Sequence, residues 1–387
     1  MVYSRRTLKD LRELAQAMLP SNKHLHDLSW GELCKICIDV RDHNDKLYES
    51  FPSLPPFIRL IDELFLNLMP IRSFEYFRNG ELKRGYDVIL NYFDKFSGQI
   101  GSKYIQHSTG YITRWDGSHV EKLLVLSGFE YAALPGYEER QGDCLQFARF
   151  IPEAIRRVKH VVVATHPSLV RLFEQAGFNT VSHNEMDGPL AIADRYITST
   201  LLPVVLWAEY GTEVAAYLRC DEPITLPHDK LNIGICWAGD PQNASDDPRS
   251  AKVEDVEPFS NIDMNFWSLM FGERPENVPA WIKSAPIAIR DFADTAKIVS
   301  ALDLVISIDT SIVHLAGSLG VPCWIALPEK SCWRWQNHES RSNLYPKARL
   351  FRQHTHEDWH HVFTRIAANL SIITFQTFPD STTPEAH

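Results

Sequence analysis

LDLVISIDTSIVHLAGSLGVPCW, residues 302–324, is the stretch whose reading decides the fold. Leu304, Val305, Ile306 and Ile308, broken only by Ser307, form the short β-branched run of a strand buried on both faces, which belongs in a parallel sheet. Asp309, Thr310 and Ser311 fall at its carboxyl end, where open α/β sheets bind ligands. Either Thr310 or Ser311 can cap the helix that follows, which carries His314. The free N–H groups and positive dipole end of that helix favour an anion, typically phosphate. Gly317 and Gly320 mark close packing and the helix end, and Val321 to Ile325 reads as the next strand. An ordinary αβ unit whose Asp309-Thr310 only caps a helix fits the same letters, so the local pattern leaves both readings open.

Outward from this stretch the alternation continues. NIGICWAG (232–239) starts an α/β series that includes the helix TAKIVSALD and closes on a helix around DWHHVFTRIAANL. Upstream, KLLVLSG and KHVVVATH are short apolar runs, followed by the helix PSLVRLFEQAG and the strand NTVSHN, and the Pro-rich CDEPITLPHD separates the two blocks. Two such blocks imply an α/β protein with two Rossmann-like domains, at 115–225 and 226–375, and an active site in the cleft between them. Residues 1–114 repeat apolar positions at three- and four-residue spacing between Pro-containing breaks, which predicts a helical accessory domain suited to protein docking. Residues 376–387 read as a disordered polar tail.

Composition narrows the classes. A net charge of -10 and the lack of any Lys/Arg run argue against a nucleic-acid surface. The seven cysteines are odd in number and scattered, as in a reduced, cytoplasmic protein. Cys34 and Cys37 lack a second pair at zinc spacing, and His354, His356, His360 and His361 lack a cysteine partner or an H-E-x-x-H arrangement, so no metal site is expected. MVYSRRTLKDLREL has no apolar h-region, and no stretch reaches the roughly 20 apolar residues of a membrane span. The expectation is a cytoplasmic chain with no membrane span.

Three polar clusters carry the chemistry. In QGDCLQFAR (141–149), Gly142 permits close backbone approach, and Asp143 is either a general base for an acceptor hydroxyl or a helix cap. In GICWAGD (234–240), small residues after a strand let backbone N–H groups approach a ligand, and Arg249 with Ser250 lies just beyond, where a guanidinium can neutralise a diphosphate. Trp333, Arg334 and Trp335 form a cationic, aromatic patch after the strand beyond the opening stretch, with Trp333 and Trp335 candidates for stacking on a base or sugar.

Taken together and in order, GDCLQFARFIPEA, HPSLVRLFEQAG, NIGICWAGDP, RDFADTAKIVSALDLVISIDTSIVHLAGSLGVPCWIALP and WRWQNHESRSNLYPKARLFRQ resemble the bacterial heptosyltransferase-like glycosyltransferases, in particular the branch often fused to tetratricopeptide repeats. The resemblance implies a GT-B fold of two facing Rossmann domains and inverting, metal-independent transfer from a nucleotide-diphosphate sugar to a glycan or protein acceptor. It implies Asp143 as catalytic base, and a donor site of Trp237, Gly239, Arg249, Ser250, Asp309, Thr310, Ser311 and His314. The chain departs from the family at Asp240 and Asp247, which put negative charge beside a presumed diphosphate, and in the expanded turn GFEYAALPGYEERQGD. Those departures keep two other readings open: a catalytically degenerate GT-B scaffold, and another GT-B activity such as nucleotide-sugar epimerisation.

Overall fold

The computed structural model describes residues 104–107, 110–128, 141–206, 216–239, 249–270, 278–329, 331–335 and 340–377, all within one compact unit. Two parallel sheets dominate. The first contains β3 (Lys122–Leu126), β4 (His160–Thr165), β5 (Thr180–Ser182) and β6 (Arg195–Thr198) in the order β5-β4-β3-β6. The second contains β7 (Asn232–Cys236), β8 (Asn265–Ser268), β9 (Ile282–Lys283), β10 (Leu304–Ile308), β11 (Cys323–Leu327) and β12 (Ala348–Arg352) in the order β12-β11-β10-β7-β8-β9. Read from β9, the second sheet runs 3-2-1-4-5-6, the doubly wound Rossmann order, and its direction reverses between β7 and β10. The first sheet is the 3-2-1-4 portion of that order, reversing between β3 and β6.

Every residue of β7, β10 and β11 is buried, which is why these strands read as unbroken apolar runs rather than as alternations. Crossover helices cover the sheets: α1 (Gln141–Phe147), α2 (Ile151–Arg157), α3 (Val170–Gln175), α4 (Asp187–Ile192) and α5 (Leu202–Val205) in the first half, α6 (Phe292–Val299), α7 (Ser311–Leu319) and α8 (Trp359–Thr377) in the second. One face of the second sheet closes on α8 and the short helix Val253–Phe259, where Phe259 stacks on Phe266 at 5.5 Å and meets Phe363 edge-on at 5.7 Å. Aromatic pairs of this kind fix the layer spacing that brings the strand ends to a common rim.

The predicted helical domain over 1–114 lies outside the described residues except at its end. There β1 (Tyr104–His107) and β2 (Gly110–Thr113) form an antiparallel hairpin instead of helix. The β-branched and aromatic content of YIQH and GYIT, joined through a short Ser-Thr step, suits a ribbon better than a helical turn. At the other end α8 runs through Thr377, past the predicted boundary at 375, and the rest of the predicted tail lies outside the described residues.

Candidate active site

The opening stretch delivers its polar residues to the reversal point of the second sheet. Thr310 sits in extended conformation and its Oγ1 accepts the Ile312 N–H at 3.3 Å, capping α7. The same oxygen lies 3.1 Å from Ser307 Oγ and 3.8 Å from Cys236 Sγ, which ties the end of β10 to the end of β7. Beside it, Arg249 Nη1 donates to the Asp309 carbonyl at 3.1 Å, and the Gly239 N–H donates to Ser250 Oγ at 2.9 Å. Ala251 N–H also reaches the Trp237 carbonyl at 2.8 Å, so 237–239 and 249–251 form a paired stem. The acidic loop between them, Asp240 to Pro248, lies outside the described residues. Trp237 departs from its expected role as a donor-contacting side chain: the residue is 2% exposed and packs in the core of the second sheet.

Asp143 arrives from the other half. Helix α1 packs on α7, and Gly142 makes that approach possible: a Cβ there would lie 3.1 Å from His314 Cδ2 and 3.6 Å from Ser311 Cα. The Asp143 carboxylate is buried and its Oδ1 accepts from Arg334 Nη2, while Oδ2 is buried with no hydrogen-bond partner among the described residues. Arg334 is held further by Nε donating to Gln146 Oε1 at 2.5 Å and Nη1 to Cys332 Sγ at 2.9 Å. A second seam contact comes from Arg149, whose Nη1 donates to the Leu344 carbonyl at 2.9 Å and whose guanidinium covers the rings of Tyr217 and Tyr345.

Trp335 is the second departure from expectation. It is buried and stacks on His314 with ring centroids 5.6 Å apart, so its face is taken by a protein ring rather than offered to a base or sugar. His314 Nδ1 in turn shares a hydrogen bond with the Tyr345 hydroxyl at 2.8 Å. The side chain of Trp333 lies outside the described residues.

The electrostatics follow from burial. Burial pushes the Asp309 carboxyl above its ordinary range, opposed by Arg334, the Trp335 indole and Arg249 and reinforced by Asp143. Burial holds His314 well below its ordinary value, and the nearby Arg334 and Arg149 push the same way, so the ring is neutral at pH 7. Three guanidinium groups and two carboxyls thus crowd one buried locus, an excess of positive charge fitted to an anion. The cysteines take no part as a disulfide among the described residues, and burial pushes the Cys323 thiol up to about 12. No cluster of three metal-ligating side chains and no helix long and apolar enough to cross a membrane occurs among the described residues.

Asp143, Arg249, Asp309, Ser311 and His314 are therefore brought to one place, with Thr310, Gly239 and Ser250 shaping the backbone around them. Arg334 belongs to the expected cationic patch but carried no site role of its own there, and Gln146, Arg149 and Tyr345 carried none. A lone arginine between two tryptophans was the available sign, since such a charge is costly to bury unless it has a task. A further polar row edges the first sheet. Thr165 pairs with Ser182, and one position beyond the Leu126–Ala164 and Leu126–Thr198 pairs stand Ser127 and Ser199. Ser127 Oγ and Thr165 Oγ1 are buried without partners among the described residues, beside His166 and His183, whose rings meet edge-on at 6.4 Å.

No family model and no curated protein matches the chain. Solved structures do. ADP-heptose lps heptosyltransferase II of E. coli is 13% identical with a TM-score of 0.43, covering 66% of this chain and 99% of that one. A glycosyl transferase of family 9 from Veillonella parvula is 11% identical with a TM-score of 0.42, over 70% and 93%. The iron-containing dodecameric glycosyltransferase TibC of enterotoxigenic E. coli is 9% identical with a TM-score of 0.42, over 68% and 78%. The chain is similar to heptosyltransferases and other glycosyltransferases of this fold.

Proposed function

We propose that the chain is a cytoplasmic, inverting glycosyltransferase that moves a sugar from a nucleotide-diphosphate donor to a hydroxyl of a glycan or protein. One observation carries the reading. A buried carboxylate from one half, Asp143, meets Arg334 of the other half beside the capped amino terminus of α7, where Arg249 holds the Asp309 carbonyl at the reversal point of a doubly wound sheet. In this scheme Asp143 Oδ2 takes the acceptor proton as the acceptor oxygen bonds to the anomeric carbon. The bond from that carbon to the diphosphate oxygen breaks, and its electron pair leaves with the nucleoside diphosphate. Arginines and the α7 dipole, rather than a metal, neutralise the departing charge.

The test is incubation with nucleotide sugars of ADP, UDP, GDP and dTDP together with glycan and peptide acceptors, measuring nucleoside diphosphate release and product mass. Net transfer with stoichiometric diphosphate release supports the reading and excludes simple epimerisation. Binding without release favours the scaffold alternative, for which the Arg334 contact on Asp143 is the observation in hand.

A further inference from the structure

The ion pair between Arg334 and Asp143 joins the two halves and occupies both the group best placed for a donor phosphate and the group proposed as base. Among the three arginines at the locus, Arg149 is engaged by carbonyls and ring faces, and Arg249 donates to the Asp309 carbonyl. Arg334 pairs with an opposite charge supplied by the other half. Its neighbours place it beside α7: Trp335 stacks on His314 at 5.6 Å, and a Cβ on Gly142, next to Asp143, would lie 3.6 Å from Ser311 Cα. A diphosphate presents more charge and more acceptor oxygens than a carboxylate and competes for the same guanidinium fork.

We propose that Arg334 is a ligand for the donor diphosphate that is held in reserve on Asp143, so that arrival of the diphosphate draws Arg334 away and frees the base. This rests on the glycosyl-transfer reading. Release leaves Asp143 as a buried carboxylate with both oxygens in want of a donor, a costly state that an acceptor hydroxyl relieves. Donor binding therefore precedes and promotes acceptor binding, and the base is occupied whenever the donor site is empty.

The competition is measurable without knowing the sugar or the acceptor. Affinities of ADP, UDP, GDP and dTDP are determined by titration calorimetry for the wild type, Asp143→Asn, Arg334→Gln, Arg334→Lys and the Asp143→Asn/Arg334→Gln double variant. Removing the competing charge in Asp143→Asn tightens the preferred diphosphate about tenfold, a coupling of ordinary size between linked sites. Arg334→Gln weakens it by a similar factor, Arg334→Lys falls between, and the double variant matches Arg334→Gln alone. A purely structural contact gives loss, never gain, on substitution of Asp143. Unchanged or weaker binding by Asp143→Asn overturns the proposal, as does wild-type affinity in both Arg334 variants. Should Arg334→Gln fail to fold, Arg334→Lys and Asp143→Asn still decide. Binding of no diphosphate by either the wild type or Asp143→Asn overturns this proposal and the glycosyl-transfer reading together, whereas tight binding that Asp143→Asn does not improve removes this proposal alone.

Discussion

At the scale of single residues, the two oxygens of Asp143 live in different surroundings, and that asymmetry governs what substitution does. Oδ1 is taken by Arg334, and Oδ2 is buried with no hydrogen-bond partner among the described residues. Asp143→Asn keeps the shape and removes the proton acceptor, so turnover falls by about 10²- to 10⁴-fold, the range general-base catalysis supplies, while the diphosphate still binds. Initial rates beside binding titrations check this, and equal turnover removes Asp143 from its role. A few ångströms away, His314 is a neutral ring stacked on Trp335 and hydrogen-bonded to Tyr345. Tyr345→Phe leaves His314 Nδ1 buried without that partner, so the variant is less stable by about 1 to 3 kcal/mol. Urea melts at pH 7 read the difference, and an unshifted midpoint shows that the bond adds nothing.

At the scale of elements, α7 is held from two sides by close approaches at glycines, and the two glycines differ in what they face. A Cβ at Gly317 would fall 2.2 Å from Cδ1 of the Tyr345 ring, whereas one at Gly142 would fall 3.1 Å from His314 Cδ2. A rigid ring must move in the first case and a few tenths of an ångström suffice in the second. Gly317→Ala therefore costs about 1 to 3 kcal/mol and Gly142→Ala less, read as denaturant midpoints at constant slope. A larger loss in Gly142→Ala contradicts this ranking. The same helix shows what was legible beforehand. Its strand, cap, glycines and following strand could all be read from residues 302–324, because each is local in sequence. Long-range partners left no such trace. Trp237 and Trp335 read as ligand-facing because their spacing does not tell an indole on the rim from one in the core. Arg334 gained its meaning only when the fold placed Asp143, 191 positions away in sequence, against it.

At the scale of the whole molecule, a second polar seam joins the halves, and its charges give folding a pH dependence. Arg171 on α3 of the first half pairs with Asp291, the cap of α6, at 2.8 Å and with Asp294 at 3.3 Å, and Arg290 adds a bond to Asp294 at 2.8 Å. Arg290 leads in holding the Asp294 carboxyl far below the usual carboxylate range, followed by Arg171, with burial opposing both. A carboxyl depressed on folding contributes stability that is fully present above its unfolded value, about 3.9, and is lost as pH falls through its folded value. Both arginines are partly exposed, so salt screens part of the gain. Asp294→Asn is therefore less stable than the wild type by a constant margin between pH 8 and 5, and the two melting temperatures draw together as pH falls below about 4, where the carboxyl of the unfolded wild-type chain takes up its proton. Added salt narrows the gap at pH 7 without moving the pH at which convergence begins. Melting curves across pH 2 to 8 at low and high salt measure both effects. A gap that persists unchanged to pH 2 instead assigns Asp294 a packing role, with the interdomain ion pairs contributing nothing net to folding.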